Sequence, residues 1–336
     1  MNDVGNYQEK YGVHVVRAME NLLQAVHRTP LQHSSTLNEM TEKNVFLKME
    51  NLQRTGSFKL RGAYNKVASL TDIESARGIV AASAGNHAQG VALSASERGI
   101  KAKIYMPIHT PTSKIEATRS YGAEIVLEGE SYNEAFNGAE RERQERGATF
   151  VHAFDDPEVM AGQGTVALEM MQQCPDLDTI LVPVGGGGLL AGMAMAIKSY
   201  FPHVKIIGVQ ASEASATCNR FKGTGPVVLQ SVKSIADGIS VKEPGKLTFP
   251  IIEELVDDML TVSEEEIATA IIFMLERHKT LVEGAGAASL AAVLCKSNLM
   301  KGKRIGVVVS GGNADIDKLS LYKKLSQRAK TIRKIS

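Results

Sequence analysis

The stretch TILVPVGGGGLLAGMAMAIKSY, residues 179–200, decides the architecture. Residues 179–184 are apolar without alternation, 185–188 are four consecutive glycines, and 189–200 carry apolar residues at helical spacing. A short unalternated run of this kind reads as a strand buried on both faces, the signature of parallel sheet. FPHVKIIGVQ, residues 201–210, follows as a second such strand. The same strand–turn–helix pattern recurs in GIVAASAGNHAQGVALSASERGIKAKIYM, residues 78–106, and in KRIGVVVSGGNADIDKL, residues 303–319. Recurring units of this type predict an α/β chain with doubly wound open sheets.

Working outward, a helix, a glycine turn and a strand at Glu124–Leu127 extend the first sheet, and Thr149–Ala153 opens another strand. Asp257–Val262 reads as a strand, and Ser263 with three glutamates caps a long helix reaching Lys279. The predicted division is a small domain at 56–150 and a large domain built from 1–55 and 151–320. A basic tail, 321–336, follows. It carries Lys323, Lys324, Arg328, Lys330, Arg333 and Lys334 without an acid, which reads as a solvated helix or a frayed end.

Composition narrows the function. At 336 residues the chain exceeds what one core usually serves. Lys plus Arg number 38 against 37 Asp plus Glu, so no charge surplus invites nucleic acid. No tryptophan and 5% aromatics argue against base-stacking platforms. Cys174, Cys218 and Cys295 form no metal or disulfide spacing, which suits a reducing compartment. Residues 1–11 are polar and lack the apolar core of a secretory signal, and no apolar run is long enough for a membrane span. The expectation is a cytoplasmic protein with a small-molecule ligand.

Ligands of open parallel sheets bind where strand ends lead into helices. At Gly185–Gly188 the backbone N–H groups can converge at a helix start, where the dipole favours an anion. This is a phosphate cradle, although a tight turn alone is the bland reading. It is not a Walker loop, because no Gly-Lys-Ser/Thr follows. A GxGxxA match exists at Gly186, Gly188 and Ala191, yet Gln210 stands where a ribose-binding acid belongs. SAGNHAQG, residues 83–90, offers a hydroxyl, an amide and an imidazole at a helix start, suited to a small carboxylate. Ser310 ends the strand of the third unit and is followed by two glycines. Upstream, Lys59 in ENLQRTGSFKLRGA, residues 50–63, lies after a glycine turn and between Phe58 and Leu60; a single lysine is ordinarily a solvated surface charge, but these neighbours also allow an inward-facing amine.

SFKLRGA, SAGNHAQG, VPVGGGGL and SGGN, in that order, resemble the fold-type-II pyridoxal-phosphate (PLP) enzymes of the threonine/serine dehydratase and serine racemase group. The resemblance runs from about Val15 to Leu319. It implies that Lys59 bonds the cofactor covalently and later moves the α-proton, while Gly185, Gly186, Gly187, Gly188 and Leu189 hold the phosphate. Asn86 would meet the ring 3′-oxygen, Ser310 the pyridine nitrogen, and Phe58 the ring. Ser83, Asn86 and His87 would bind the substrate carboxylate. The implied reaction is elimination of water and ammonia from L-threonine, and also L-serine.

Relatives separate on single residues. Cysteine synthases resemble a TSGNTG-type loop, absent here, and threonine synthases place an acid where this chain has Leu60. Serine racemases place a second serine at Ala84, so elimination with little racemisation is expected. Their divalent-cation acids correspond to Gln210 and Ala216, so no metal is expected at that site. The pattern is closest to catabolic threonine dehydratases, some of which are activated by AMP. The matching positions are Arg54, Thr55, Gln89, Ser120, Tyr121 and Asn313. By the same resemblance a homodimer or homotetramer is expected. The competing class is a non-catalytic, nucleotide-binding α/β protein, which explains the glycines but not Lys59.

Overall fold

The computed structural model describes the backbone of residues 7–335 and the side chains of residues 7–328. Ten strands form two sheets: β1 Leu31–His33, β2 Asn44–Met49, β3 Ile79–Ala82, β4 Ala102–Met106, β5 Glu124–Leu127, β6 Thr149–Phe150, β7 Thr179–Pro183, β8 Lys205–Ala211, β9 Asp258–Val262 and β10 Arg304–Val309. The larger sheet runs β1-β2-β10-β7-β8-β9 and the smaller β5-β4-β3-β6. All pairs are parallel except β1 with β2 at one edge.

Every residue of β3 and β7 is buried, as their unalternated sequences require. Alternate residues serve opposite faces. Leu181 and Val307 join the core beneath the helices Glu264–Phe273 and Gly284–Lys296. Ile180, Val182 and Val308 join the core beneath Pro157–Gln173 and Gly188–Tyr200. The smaller sheet divides likewise, with Ile79 and Ala81 on one side and Val80 and Ala82 on the other. Both sheets are doubly wound.

The helix Pro157–Gln173 positions the site. It carries the chain from the smaller sheet to the larger, and Asp156 caps it by accepting the Glu158 and Val159 N–H groups. Two helices rest on it: Lys59–Ala68 and Gly188–Tyr200. Their approach leaves no room for side chains. A Cβ on Gly192 would stand 2.0 Å from the Met160 carbonyl oxygen, and one on Gly162 would stand 2.6 Å from that of Arg61.

Beneath these helices lie four buried charges. Arg61 bridges Glu50 at 2.8 Å and Glu169 at 2.7 Å, and Lys48 meets Glu169 at 2.6 Å. Burial opposes the Arg61 charge, but Glu50 and then Glu169 outweigh it and raise its pKa. Thr29 Oγ1 donates to Glu50 at 2.5 Å, so the acids are hydrogen-bonded as well as paired.

The helix capped by Ser263 reaches Lys279 as expected, there with φ 55°, and widens into a π-helical turn after Phe273. Two sequence expectations need correction. The strand expected at Thr149–Ala153 is confined to Thr149 and Phe150, with one last bond from Val151 N to the Val80 carbonyl at 2.9 Å before the chain turns away. The tail expected as a solvated helix or a frayed end is the helix Leu319–Ile335, and it is docked: it buries Tyr322 and Ser326, Tyr322 within the core of the larger sheet. The side chains of Lys330, Arg333 and Lys334 lie outside the described residues. No helix among the described residues is long and apolar enough to cross a membrane.

Candidate active site

Lys59 begins its helix from a turn stitched to the end of β10. Phe58 N donates to the Ser310 carbonyl at 3.1 Å and Gly312 N to that of Gly56 at 2.8 Å. Gly56 sits at φ +73°, a conformation that suits glycine, and a Cβ there would strike the Asn313 amide at 2.5 Å. These bonds deliver Lys59 to the wall of a cavity lined also by Phe58, Ala153, Phe154, Gly185–Leu189 and Ser310. Lys59 Nζ donates to the Ala153 carbonyl at 2.7 Å and lies 5.3 Å from the Phe58 ring centre. Burial pulls its pKa down to about 8, against the opposing charge of Glu283.

The glycine run forms the opposite wall. Among the described residues none of the N–H groups of Gly185–Leu189 finds an acceptor, whereas the carbonyls of Gly185, Gly186 and Gly187 are all engaged. Gly187 holds φ +100°, and a Cβ on Gly186 would stand 2.4 Å from the Phe154 ring. A row of unpaired donors at a helix start, opposite a lysine, suits a phosphate dianion. Ser310, 2% exposed, closes this end; its Oγ stands 3.4 Å from the Ala285 carbonyl, which accepts from it.

The turn after β3 carries Ser83, Asn86 and His87, none of which is among the residues that line this cavity. The Thr55 carbonyl can only accept, so the Asn313 group facing it at 2.8 Å is Nδ2, which also donates to Asn86 Oδ1 at 2.8 Å. Asn86 Nδ2 therefore donates to Glu283 Oε1 at 2.7 Å, leaving one N–H of that amide for a ligand. Ser83 Oγ accepts from Gly85 N at 3.3 Å. His87 differs from expectation. Its Nε2 donates to the Val151 carbonyl at 2.8 Å, and burial pulls its pKa down to about 3. A neutral ring so committed brings no charge to a carboxylate, so what remains to offer is the backbone N–H at the helix start.

Glu283 is the residue that sequence reading missed. It is 6% exposed, and burial, reinforced by Asp237, pushes its pKa up to about 7. The available signal was an acid directly before the small-residue run GAGAA, where a helix start is expected. Ala153, Phe154 and Thr248 were also passed over, because nothing local distinguishes them. Of the positions matched to an AMP site, Arg54 is bound to Glu97 and to the Ala25 carbonyl, and Ser120 Oγ bonds the Ala117 carbonyl. Thr55 is buried with an unpaired hydroxyl, Tyr121 packs on the smaller core, and Gln89 is half-buried.

A family model described as pyridoxal-phosphate dependent enzyme matches residues 22–311. The chain is 51% identical over 303 residues to an L-threonine ammonia-lyase of Thermotoga maritima, covering 90% of this chain and 75% of that relative. It superposes on threonine deaminase isoform 2 from Solanum lycopersicum with a TM-score of 0.90 at 35% identity, covering 97% of this chain and 89% of that one. Maize serine racemase gives a TM-score of 0.88 at 36% identity, with 94% and 98% covered. Similarity of this extent shows the family, and the chain belongs to the pyridoxal-phosphate dependent enzymes.

Proposed function

We propose that the chain converts L-threonine to 2-oxobutanoate and ammonia, and L-serine to pyruvate and ammonia, with PLP held between Lys59 and the glycine cradle. The observation that carries this reading is the burial-lowered Lys59 amine facing a row of unpaired backbone donors across one cavity. The residues fit the group. Gly185–Leu189 would hold the phosphate, Lys59 the aldehyde carbon, Asn86 the ring oxygen and Ser310 the pyridine nitrogen, with Phe58 against the ring. Bound there, PLP supplies an electron sink for the pair left on the substrate α-carbon.

Lys59 Nζ takes the α-proton, a task that needs free amine at neutral pH and so a lowered pKa. The Ala153 carbonyl orients that nitrogen. Ser310 would be a neutral partner for the pyridine nitrogen, where a carboxylate would keep that nitrogen protonated and the ring a stronger electron sink; the weaker sink favours prompt loss of the β-hydroxyl. The helix-start N–H groups of Asn86 and His87, with Ser83, would receive the substrate carboxylate.

Ala84 places a methyl where racemases carry a second hydroxyl, so elimination exceeds racemisation. A non-catalytic nucleotide carrier leaves Lys59 without a role. The reading extends to AMP activation at Arg54, Thr55, Gln89, Ser120, Tyr121 and Asn313, supported by the direct bond from Asn313 to Asn86. It also includes a cytoplasmic homodimer or homotetramer, on the strength of the resemblance. One experiment tests the core: a 2-oxo acid assay on L-threonine and L-serine, with and without AMP, and chiral analysis of recovered serine. Wild type yields 2-oxo acid and little D-serine, and Lys59→Ala yields none. Product from Lys59→Ala sinks the reading, while an unchanged rate with AMP removes only the activator.

A further inference from the structure

A loop that aims successive N–H groups at one spot must turn its carbonyls the opposite way, because each peptide is planar and trans. Buried carbonyls then need donors of their own. The Gly187 carbonyl takes the Ala191 N–H at 2.8 Å, an ordinary first helical bond. The carbonyls of Gly185 and Gly186 precede the helix and are supplied from other elements. Gly185 O accepts from Thr217 Oγ1 at 3.1 Å, with Gln210 Nε2 at 3.5 Å. Gly186 O accepts from Thr248 Oγ1 at 2.6 Å and from Gly245 N at 3.1 Å.

Thr217, Gln210 and Thr248 are fully buried. Gln210 cannot reverse its amide, since its Oε1 accepts from Cys218 N at 2.9 Å. Thr248 is anchored through its own N–H, which donates to Asp155 Oδ1 at 3.1 Å, next to Phe154, which lies against Gly186 and Gly188. The glycines cannot choose their own peptide orientation, since they lack the side chains that would bias it.

We propose that Thr248 and Thr217 are positioning residues for the cofactor phosphate: their hydroxyls hold the Gly186 and Gly185 carbonyls outward and so present the N–H row inward. This rests on the reading that the cradle binds that phosphate. Neither hydroxyl acts on the reacting atoms, so the effect falls on cofactor retention.

The test compares wild type, Thr248→Val, Thr248→Ser, Thr217→Val and Thr217→Ser. Each holoenzyme is dialysed to equilibrium against graded PLP, and bound cofactor is read from visible absorbance. Thr248→Val weakens PLP binding about tenfold, the size of one lost buried hydrogen bond, while Thr248→Ser stays within about twofold of wild type. Thr217→Val shows a smaller loss, because Gln210 reaches the same oxygen, and Thr217→Ser restores binding. If Thr248→Val fails to fold, the Thr217 pair makes the same comparison. Wild-type affinity in both valine variants overturns the proposal. So does equal weakening in Val and Ser, or a lowered melting temperature of the cofactor-free protein with an unchanged PLP constant. Failure of wild type itself to bind PLP would instead strike at the reading of the cradle.

Discussion

Glu283 is where residue-scale physics is sharpest. The folded chain holds its proton to about pH 7, whereas an ordinary glutamate releases it near 4.5. Protons therefore favour the fold. Stability from this group is complete below about pH 4.5 and is lost as pH rises through about 7. Glu283→Gln keeps an oxygen for the Asn86 amide and removes the buried charge. The variant should exceed wild type by on the order of 2 kcal/mol at pH 8 and match it near pH 4.5, by denaturant unfolding of the cofactor-free protein. A difference independent of pH would contradict the assignment. The sequence signal for this residue, an acid before the run GAGAA, does not distinguish it from an ordinary cap. A glutamate before a helix is ordinarily a solvated cap, and its enclosure by Asn86, Gly311 and Gly238 comes from distant stretches of chain.

Among the elements, the helix Lys59–Ala68 is held most firmly. Arg61, one turn-fraction from Lys59, reaches down between Glu50 and Glu169 with no exposure. Arg61→Met leaves both acids buried with Lys48 as the single cation near them, and breaking such a pair costs roughly 3–5 kcal/mol. Guanidinium unfolding should show that loss, and a change below about 1 kcal/mol would mean the cluster is wetter than its burial implies. The strand β7 lies where the hydrophobic pattern puts it, because a buried parallel strand writes its environment directly into its residues. The strand after Thr149 is shorter than its sequence suggests. Its end is set by where the chain must turn toward its neighbours, which no local pattern records.

Across the whole molecule, the cavity draws on both sheets: Ala153 and Phe154 follow β6 of the smaller, while the glycine run and Ser310 follow β7 and β10 of the larger. A ligand bound by both sets stabilises the folded chain by mass action, about 2.7 kcal/mol at a hundredfold excess over its dissociation constant. PLP should therefore raise the melting temperature, and pyridoxal, which lacks the phosphate for the cradle, should raise it far less at the same concentration. Equal shifts would argue that the phosphate is not held there. The sequence by itself determined the doubly wound class and singled out Lys59, the glycine run and Ser310, which the fold gathers around one cavity, because hydrophobic period and glycine runs are local properties. Only the tertiary structure decided which groups face one another: the His87 ring turned to Val151, the acid beside Asn86, and the threonines behind the cradle. Burial and hydrogen bonding between residues far apart in the chain depend on packing, and packing is not a property of any single segment.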